Sequence, residues 1–154
     1  NGSSHTMQAS FTLTQPTTIY FIAKQVTWPG GTRYLFDGAV ANNMIVYQNT
    51  ASPKIAMYAG GVVGDNSGAT IGTMVVITAV FNGASSSLSV NDNTKTTGNA
   101  GTAAGAGFTV GSIGGPSLGN YSNIEVQEIY IYSAAHSAAT QTAIITYLRT
   151  KWGI

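Results

Sequence analysis

Glu125 and Glu128 are the two carboxylates of this chain whose closeness in sequence could do chemistry. A glycoside hydrolase sets two carboxyl groups about 5–10 Å apart across the scissile bond. Side chains alternate across a strand, so a spacing of three sends this pair to opposite faces. A bulge would bring them to one face, but nothing in the sequence demands one. Glu125 is read as solvated, no catalytic residue is assigned, and the chain is expected not to be an enzyme. A second pattern, Gly115-Pro116-Ser117-Leu118-Gly119, matches the nucleophile elbow, and Glu128 and His136 follow in the order Ser, acid, His. That elbow needs a strand before it and a helix after it in a parallel sheet. Here the segment precedes another strand and no βα alternation exists, so it reads as a loop turned by its glycines.

Metal chemistry finds little support. Calcium takes six to eight oxygens, with several carboxylates converging. Asp37, Asp65 and Asp92 stand apart, each in a turn. Asp37-Gly38 reads as hairpin chemistry and Asp65-Asn66-Ser67-Gly68 as an exposed loop. His5 and His136 have no partner at ligand spacing and are read as surface residues. Cysteine is absent, which removes thiolate sites and thiol catalysis. Gly105-Ala106-Gly107 has neither a following helix nor a lysine, so it is loop composition and not a phosphate cradle. No metal or cofactor is assigned.

The aromatics are better candidates. Sugar rings present apolar faces that stack on Trp and Tyr, while Asn, Gln, Asp and Thr take the hydroxyls. Trp28-Pro29-Gly30-Gly31 lies in a turn between two strands and is expected to expose its indole; the alternative is that Trp28 folds over a sheet edge. Tyr34, Tyr47, Tyr58 and Tyr121 are the further candidate glycan-binding residues, with half-buried strand positions as their alternative.

The elements that must carry these residues are mostly strands. Short runs of β-branched and aromatic residues predict strands near 8–13, 17–24, 32–36, 44–48, 54–59, 73–81, 86–90, 108–112 and 125–132. Residues 19–23 and 74–81 are apolar on both faces, as in a sandwich centre covered on both sides. Asp37-Gly38, Asn82-Gly83 and the run Val90-Asn91-Asp92-Asn93-Thr94 read as reversals. Residues 60–72 and 97–107 are rich in Gly, Ala and Asn and are predicted as loops. One helical period appears, at the end of the chain. Ile144, Leu148 and Trp152 are four apart with Ile145 beside them, Ser137 stands at the N-cap and Gly153 at the stop. Its apolar stripe must dock on a sheet, with Leu148 and Trp152 in the core.

Composition narrows the function classes. The chain has 154 residues, is 44% apolar, 7% charged, and carries a net charge of +1. Soluble domains average about 25% charged residues, so solubility rests here on Ser, Thr, Asn, Gln and backbone. Six scattered basic residues form no phosphate-neutralising patch, so no nucleic-acid partner is expected. The apolar runs are too short to span a bilayer, so no membrane insertion is expected.

An ordered set of segments carries a family resemblance: Thr-Ile-Tyr-Phe-Ile-Ala-Lys at 18–24, Arg-Tyr-Leu-Phe-Asp-Gly at 33–38, Val-Val-Ile-Thr-Ala-Val-Phe-Asn-Gly at 75–83, Ser-Leu-Ser-Val-Asn at 87–91, Phe-Thr-Val-Gly at 108–111, and Val-Gln-Glu-Ile-Tyr-Ile-Tyr at 126–132 before the terminal helix. The chain resembles the concanavalin A-like, laminin-G-like jelly-roll modules of bacterial secreted proteins and phage structural proteins, over nearly its whole length. The resemblance implies an all-β, two-sheet antiparallel jelly-roll sandwich with one C-terminal α-helix, forming a single lectin-like domain over 1–154. It makes Asn1-Gly2-Ser3-Ser4 the domain's own first hairpin and the chain a module of a longer protein. It implies that Glu128 is a buried or half-buried hydrogen-bond anchor, and that ligands sit on a concave sheet face or the loop rim. Some relatives bind calcium at that rim, which keeps calcium as a lesser alternative. The implied role is a non-catalytic surface-recognition module of a virion surface or extracellular protein, with a cell-surface glycan as partner. The alternative is a structural capsid decoration or tail subunit whose partner is a neighbouring virion protein. A glycoside hydrolase comes third. Fold resemblance alone does not decide among these.

Overall fold

Strand β2 (Thr17–Gln25) has no solvent face: all its residues are buried except Lys24, which is half-buried. In the computed structural model, which describes residues 5–28, 30–49 and 53–154 and leaves aside the Asp65 side chain, this strand lies inside a five-stranded sheet. Its sheet runs in the order β11 (Ile124–Tyr132), β2, β7 (Met74–Phe81), β8 (Ser86–Val90), β9 (Thr96–Gly98). The second sheet has six strands, in the order β1 (Met7–Ser10), β10 (Gly107–Val110), β3 (Arg33–Asp37), β4 (Ile45–Gln48), β5 (Ile55–Tyr58), β6 (Val62–Asn66). The strands of both sheets pair antiparallel. The expected two-sheet antiparallel sandwich with one C-terminal helix is the observed fold. The segment expected as a first hairpin, Asn1-Gly2-Ser3-Ser4, lies outside the described residues.

Period-two alternation divides the apolar residues between two cores. Ile19, Phe21 and Ala23 of β2 join Leu35, Phe36, Val46, Met57, Ile77 and Phe81 between the sheets. Tyr20 and Ile22 point the other way and meet Val76, Ile145 and Leu148 beneath helix α1 (Ala138–Trp152). Runs apolar on both faces are thus covered on one side by a sheet and on the other by the helix. The Ser137 hydroxyl accepts the Thr140 N–H at 3.2 Å and caps the helix start. Gly153 ends it in the left-handed region, at φ 65°.

Three expectations need correction. The predicted loop at 60–72 contains β6, whose Val63 is buried opposite Met57. The predicted loop at 97–107 opens on β9, which pairs with β8. In both, glycines masked a short strand whose pairing comes from its neighbour and not from its own propensity. Third, Trp152 is not core. The buried stripe is Gln141, Ile145 and Leu148, while Trp152 is 37% exposed. β11 is an edge strand, so the last helical turn overhangs it with solvent on one side.

Candidate functional site

On β4, Val46 turns inward and Ile45 and Tyr47 take the outer face of the six-stranded sheet. The register sets Tyr34 opposite Tyr47 and Ile45 opposite Tyr58. Three tyrosines from β3, β4 and β5 therefore meet on one face. They line a pocket of about 260 Å³ together with Thr32, Asn42 and Ile45. The Tyr34 and Tyr47 rings lie 6.3 Å apart, inclined at 56°. Tyr34 is buried; Tyr47 and Tyr58 are half-buried and keep ring surface at the pocket wall.

Tyr34 is held on every side. Its N–H donates to Asn120 O at 3.0 Å, and its carbonyl accepts the Ser122 hydroxyl at 2.8 Å. Its phenol donates to Asn42 Oδ1 at 2.6 Å. Burial pushes the phenol pKa up, and the nearby Asp37 and Tyr47 add to the shift. The hydroxyl is thus protonated and engaged within the fold, and Tyr34 offers the pocket its ring. Asn42 and Asn120 are both left-handed, at φ 62° and 47°, a region Asn tolerates better than most residues.

Asp37, the last residue of β3, binds the backbone of the pocket-lining Asn42. Its carboxylate is fully buried and accepts four backbone N–H groups. Oδ1 takes Gly38 at 2.8 Å and Asn43 at 3.1 Å; Oδ2 takes Asn42 at 3.0 Å and Gly114 at 2.8 Å. Burial pushes the carboxyl pKa up, while the four N–H groups pull it back without cancelling the shift. The expected hairpin chemistry is here a buried anchor for the β3–β4 connection. Asn42, Thr32, Ile45 and Asn120 were not among the sequence candidates. No periodicity marks them, since connections bring all but Ile45 to the site and Ile45 reads as an ordinary strand residue.

Tyr121 forms a bridge with Tyr34 but, like Trp28, is not among the pocket-lining residues. Trp28 is half-buried and does not expose its indole as expected; its N–H is enclosed and finds no hydrogen-bond partner among the described residues. Pro29, beside it, lies outside the described residues.

Glu125 and Glu128 depart from expectation. A bulge at Gln127 sets Glu125 opposite Lys24 and Glu128 opposite Ile22, so both carboxylates share the helix-side face. Each is ion-paired: Glu125 with Lys24 at 2.6 Å, Glu128 with Lys151 at 2.8 Å. Glu128 also accepts the Tyr130 hydroxyl at 2.6 Å and the Trp152 indole N–H at 3.0 Å. The Lys151 ammonium foremost, with the Tyr130 hydroxyl, lowers its pKa to about 2. Glu128 is a half-buried anchor, as the resemblance implied.

His136 is not a free surface residue: its Nδ1 lies 2.9 Å from the Tyr20 hydroxyl. Ser117 sits in an exposed loop, as expected for that glycine-flanked segment. Asp92 accepts the Thr142 hydroxyl at 2.8 Å, and Asp65 falls in β6 and not in a loop. Among the described residues, no three His, Asp or Glu side chains gather as a metal site.

No family model matches the sequence, and no curated protein matches it. Solved structures do. A Bacteroides ovatus protein named for a supposed carbohydrate-binding role matches with TM-score 0.72 at 12% identity, over 90% of this chain and 44% of that one. Trypanosoma rangeli sialidase bound to the inhibitor DANA matches with TM-score 0.65 at 14% identity, over 84% and 22%. The NanB sialidase of Streptococcus pneumoniae matches with TM-score 0.65 at 11% identity, over 89% and 27%. The chain spans less than half the length of these proteins, and at such identities the likeness shows a shared β-sandwich fold. It also corrects the expectation that the chain is not an enzyme. Sialidases stand among its structural neighbours, so that expectation is withdrawn.

Proposed function

We propose that this chain is a glycan-recognition module, lectin-like in mode, which holds a sugar ring in the tyrosine pocket of its six-stranded sheet. The observation that carries the reading is the convergence of Tyr34, Tyr47 and Tyr58 around one concavity with Asn42 at its edge. Ring faces take the apolar side of a pyranose, and an amide takes a hydroxyl. At about 260 Å³ the pocket is smaller than the roughly 300–1,000 Å³ of drug-sized sites, which suits one sugar unit. The supposed carbohydrate-binding role of the Bacteroides ovatus protein with the same fold supports the reading.

A shallow pocket of this kind gives an affinity of about 10 µM to 1 mM, and many copies on one particle make that useful. We place the module at the surface of a virion or of a secreted bacterial protein, as the family resemblance implies. The test is a printed glycan array probed with a multivalent display of the chain. Binding to a defined glycan set supports the proposal. An empty array, with self-association in solution, would replace it with a structural role in a particle.

A further inference from the structure

We infer that Asp37 is the positioning residue of the tyrosine pocket: it holds Asn42 in place to meet a ligand hydroxyl, and its protonation in acid loosens the site. This rests on the pocket reading above and adds its regulation.

The geometry is specific. Asp37 binds the N–H groups of Asn42 and Asn43 on the β3–β4 connection and that of Gly114 on a distant one. Asn42 then accepts the Tyr34 phenol through Oδ1. One lone pair of the Asn42 side-chain oxygen is thereby engaged, which fixes the amide so that an exposed Asn42 presents its N–H pair to a ligand. That pair suits an acceptor oxygen such as a sugar hydroxyl. The cradle is too close to be replaced by other side chains. A Cβ at Gly38 would lie 2.5 Å from the carbonyl oxygens of Asn43 and Gly105, and one at Gly114 would collide with Gly38 O.

Among the described residues, the groups hydrogen-bonded around Asp37 from the neighbouring strands are neutral. From β10, Thr109 stands opposite it and gives its hydroxyl to Gly38 O; from β1, Gln8 donates to Thr109 and to Ala39 O. Neither carries charge. Tyr34 is a titratable group that feels Asp37; its pKa is pushed up, chiefly by burial, and it stays protonated in acid. A neutral carboxyl has a proton where the carboxylate had an acceptor lone pair, so it cannot keep all four N–H partners. Burial raises the Asp37 pKa, which brings this change into milder acid than an exposed aspartate would need.

The test has two arms on the intact chain. In the first, amide spectra are recorded without ligand from neutral pH to about pH 3, below the ordinary aspartate range. Gly38, Asn42, Asn43, Gly114 and the Asn42 side-chain amide should shift together with one midpoint above that of an exposed aspartate. Static signals at these positions overturn the inference. In the second, lactose, chitotriose, mannotriose and sialyllactose are titrated at neutral and acid pH. The sugar that binds should weaken in acid along the same midpoint, and Asn42→Ala should weaken it about tenfold, as for one hydrogen bond. Unchanged affinity in Asn42→Ala, or a pH-independent affinity, overturns the inference while leaving the pocket reading intact. If the five amides titrate together and none of the four sugars binds, the anchoring role of Asp37 stands and the pocket reading fails.

Discussion

The indole N–H of Trp152 donates to Glu128 Oε2 at 3.0 Å, so the last turn of the helix is tied to the edge strand by a polar contact. Leu148, one turn earlier, is 1% exposed in the core beneath the helix. The two residues lie on one stripe of the sequence pattern but do different work. Leu148→Ala should cost about 2–5 kcal/mol by leaving a cavity. Trp152→Ala should lower the melting temperature by less than Leu148→Ala does. Thermal melts of the two variants check the order, and the reverse order would put Trp152 back in the core.

Glu128 gives the helix dock a pH dependence with a definite sign. Its pKa falls to about 2 in the fold against an ordinary value of 4.5, so its stabilising contribution is fully present above pH 4.5. That contribution is lost as pH falls from 4.5 through 2. Lys151 is shifted upward, chiefly by its hydrogen bond to Glu128, so its share is lost only as pH rises past its ordinary value of 10.5. Both groups are solvent-screened, so the effect is modest. Melting temperature measured against pH for wild type and Glu128→Gln should keep a constant gap above pH 4.5 and converge as pH falls from 4.5 toward 2. Parallel curves would show that the ion pair contributes nothing.

Gly114 closes the cradle around Asp37. Gly114→Ala would force its Cβ against the backbone of Gly38 and break the hydrogen bond to Asp37 Oδ2, at a cost of about 1–3 kcal/mol from overpacking. Gly64→Ala is the control, since its Cβ would meet only a Val62 methyl group at an ordinary 3.5 Å. Melting curves should separate the two variants clearly; equal curves would mean that the cradle can relax.

Long apolar strands were legible because their signal is local. The run at 19–23 is buried on both faces as its composition predicts, and Ser137 and Gly153 bound the helix where their types place them. β6 and β9 were hidden because a short glycine-bearing strand is stabilised by its partner. The bulge at Gln127, which turned Glu128 to the side of Glu125, follows from register against β2 and leaves no mark in the strand itself. Of the site, Tyr34, Tyr47 and Tyr58 were legible as residue types, while their convergence depends on the pairing of three strands. Asn42 could not be found that way. Its role comes from a left-handed backbone and from a carboxylate five residues earlier.

The pocket itself is tested most directly by Tyr58→Ala, measured by calorimetric titration with the strongest glycan from the array beside wild type and Trp28→Ala. Tyr58 is half-buried at the pocket wall, so its loss should remove one stacking face and leave the fold intact. The account predicts a loss of about 1–3 kcal/mol, by analogy with aromatic stacking on bases, for Tyr58→Ala and wild-type affinity for Trp28→Ala. Full affinity in Tyr58→Ala with binding abolished in Trp28→Ala would contradict it and move the site to the loop that carries Trp28.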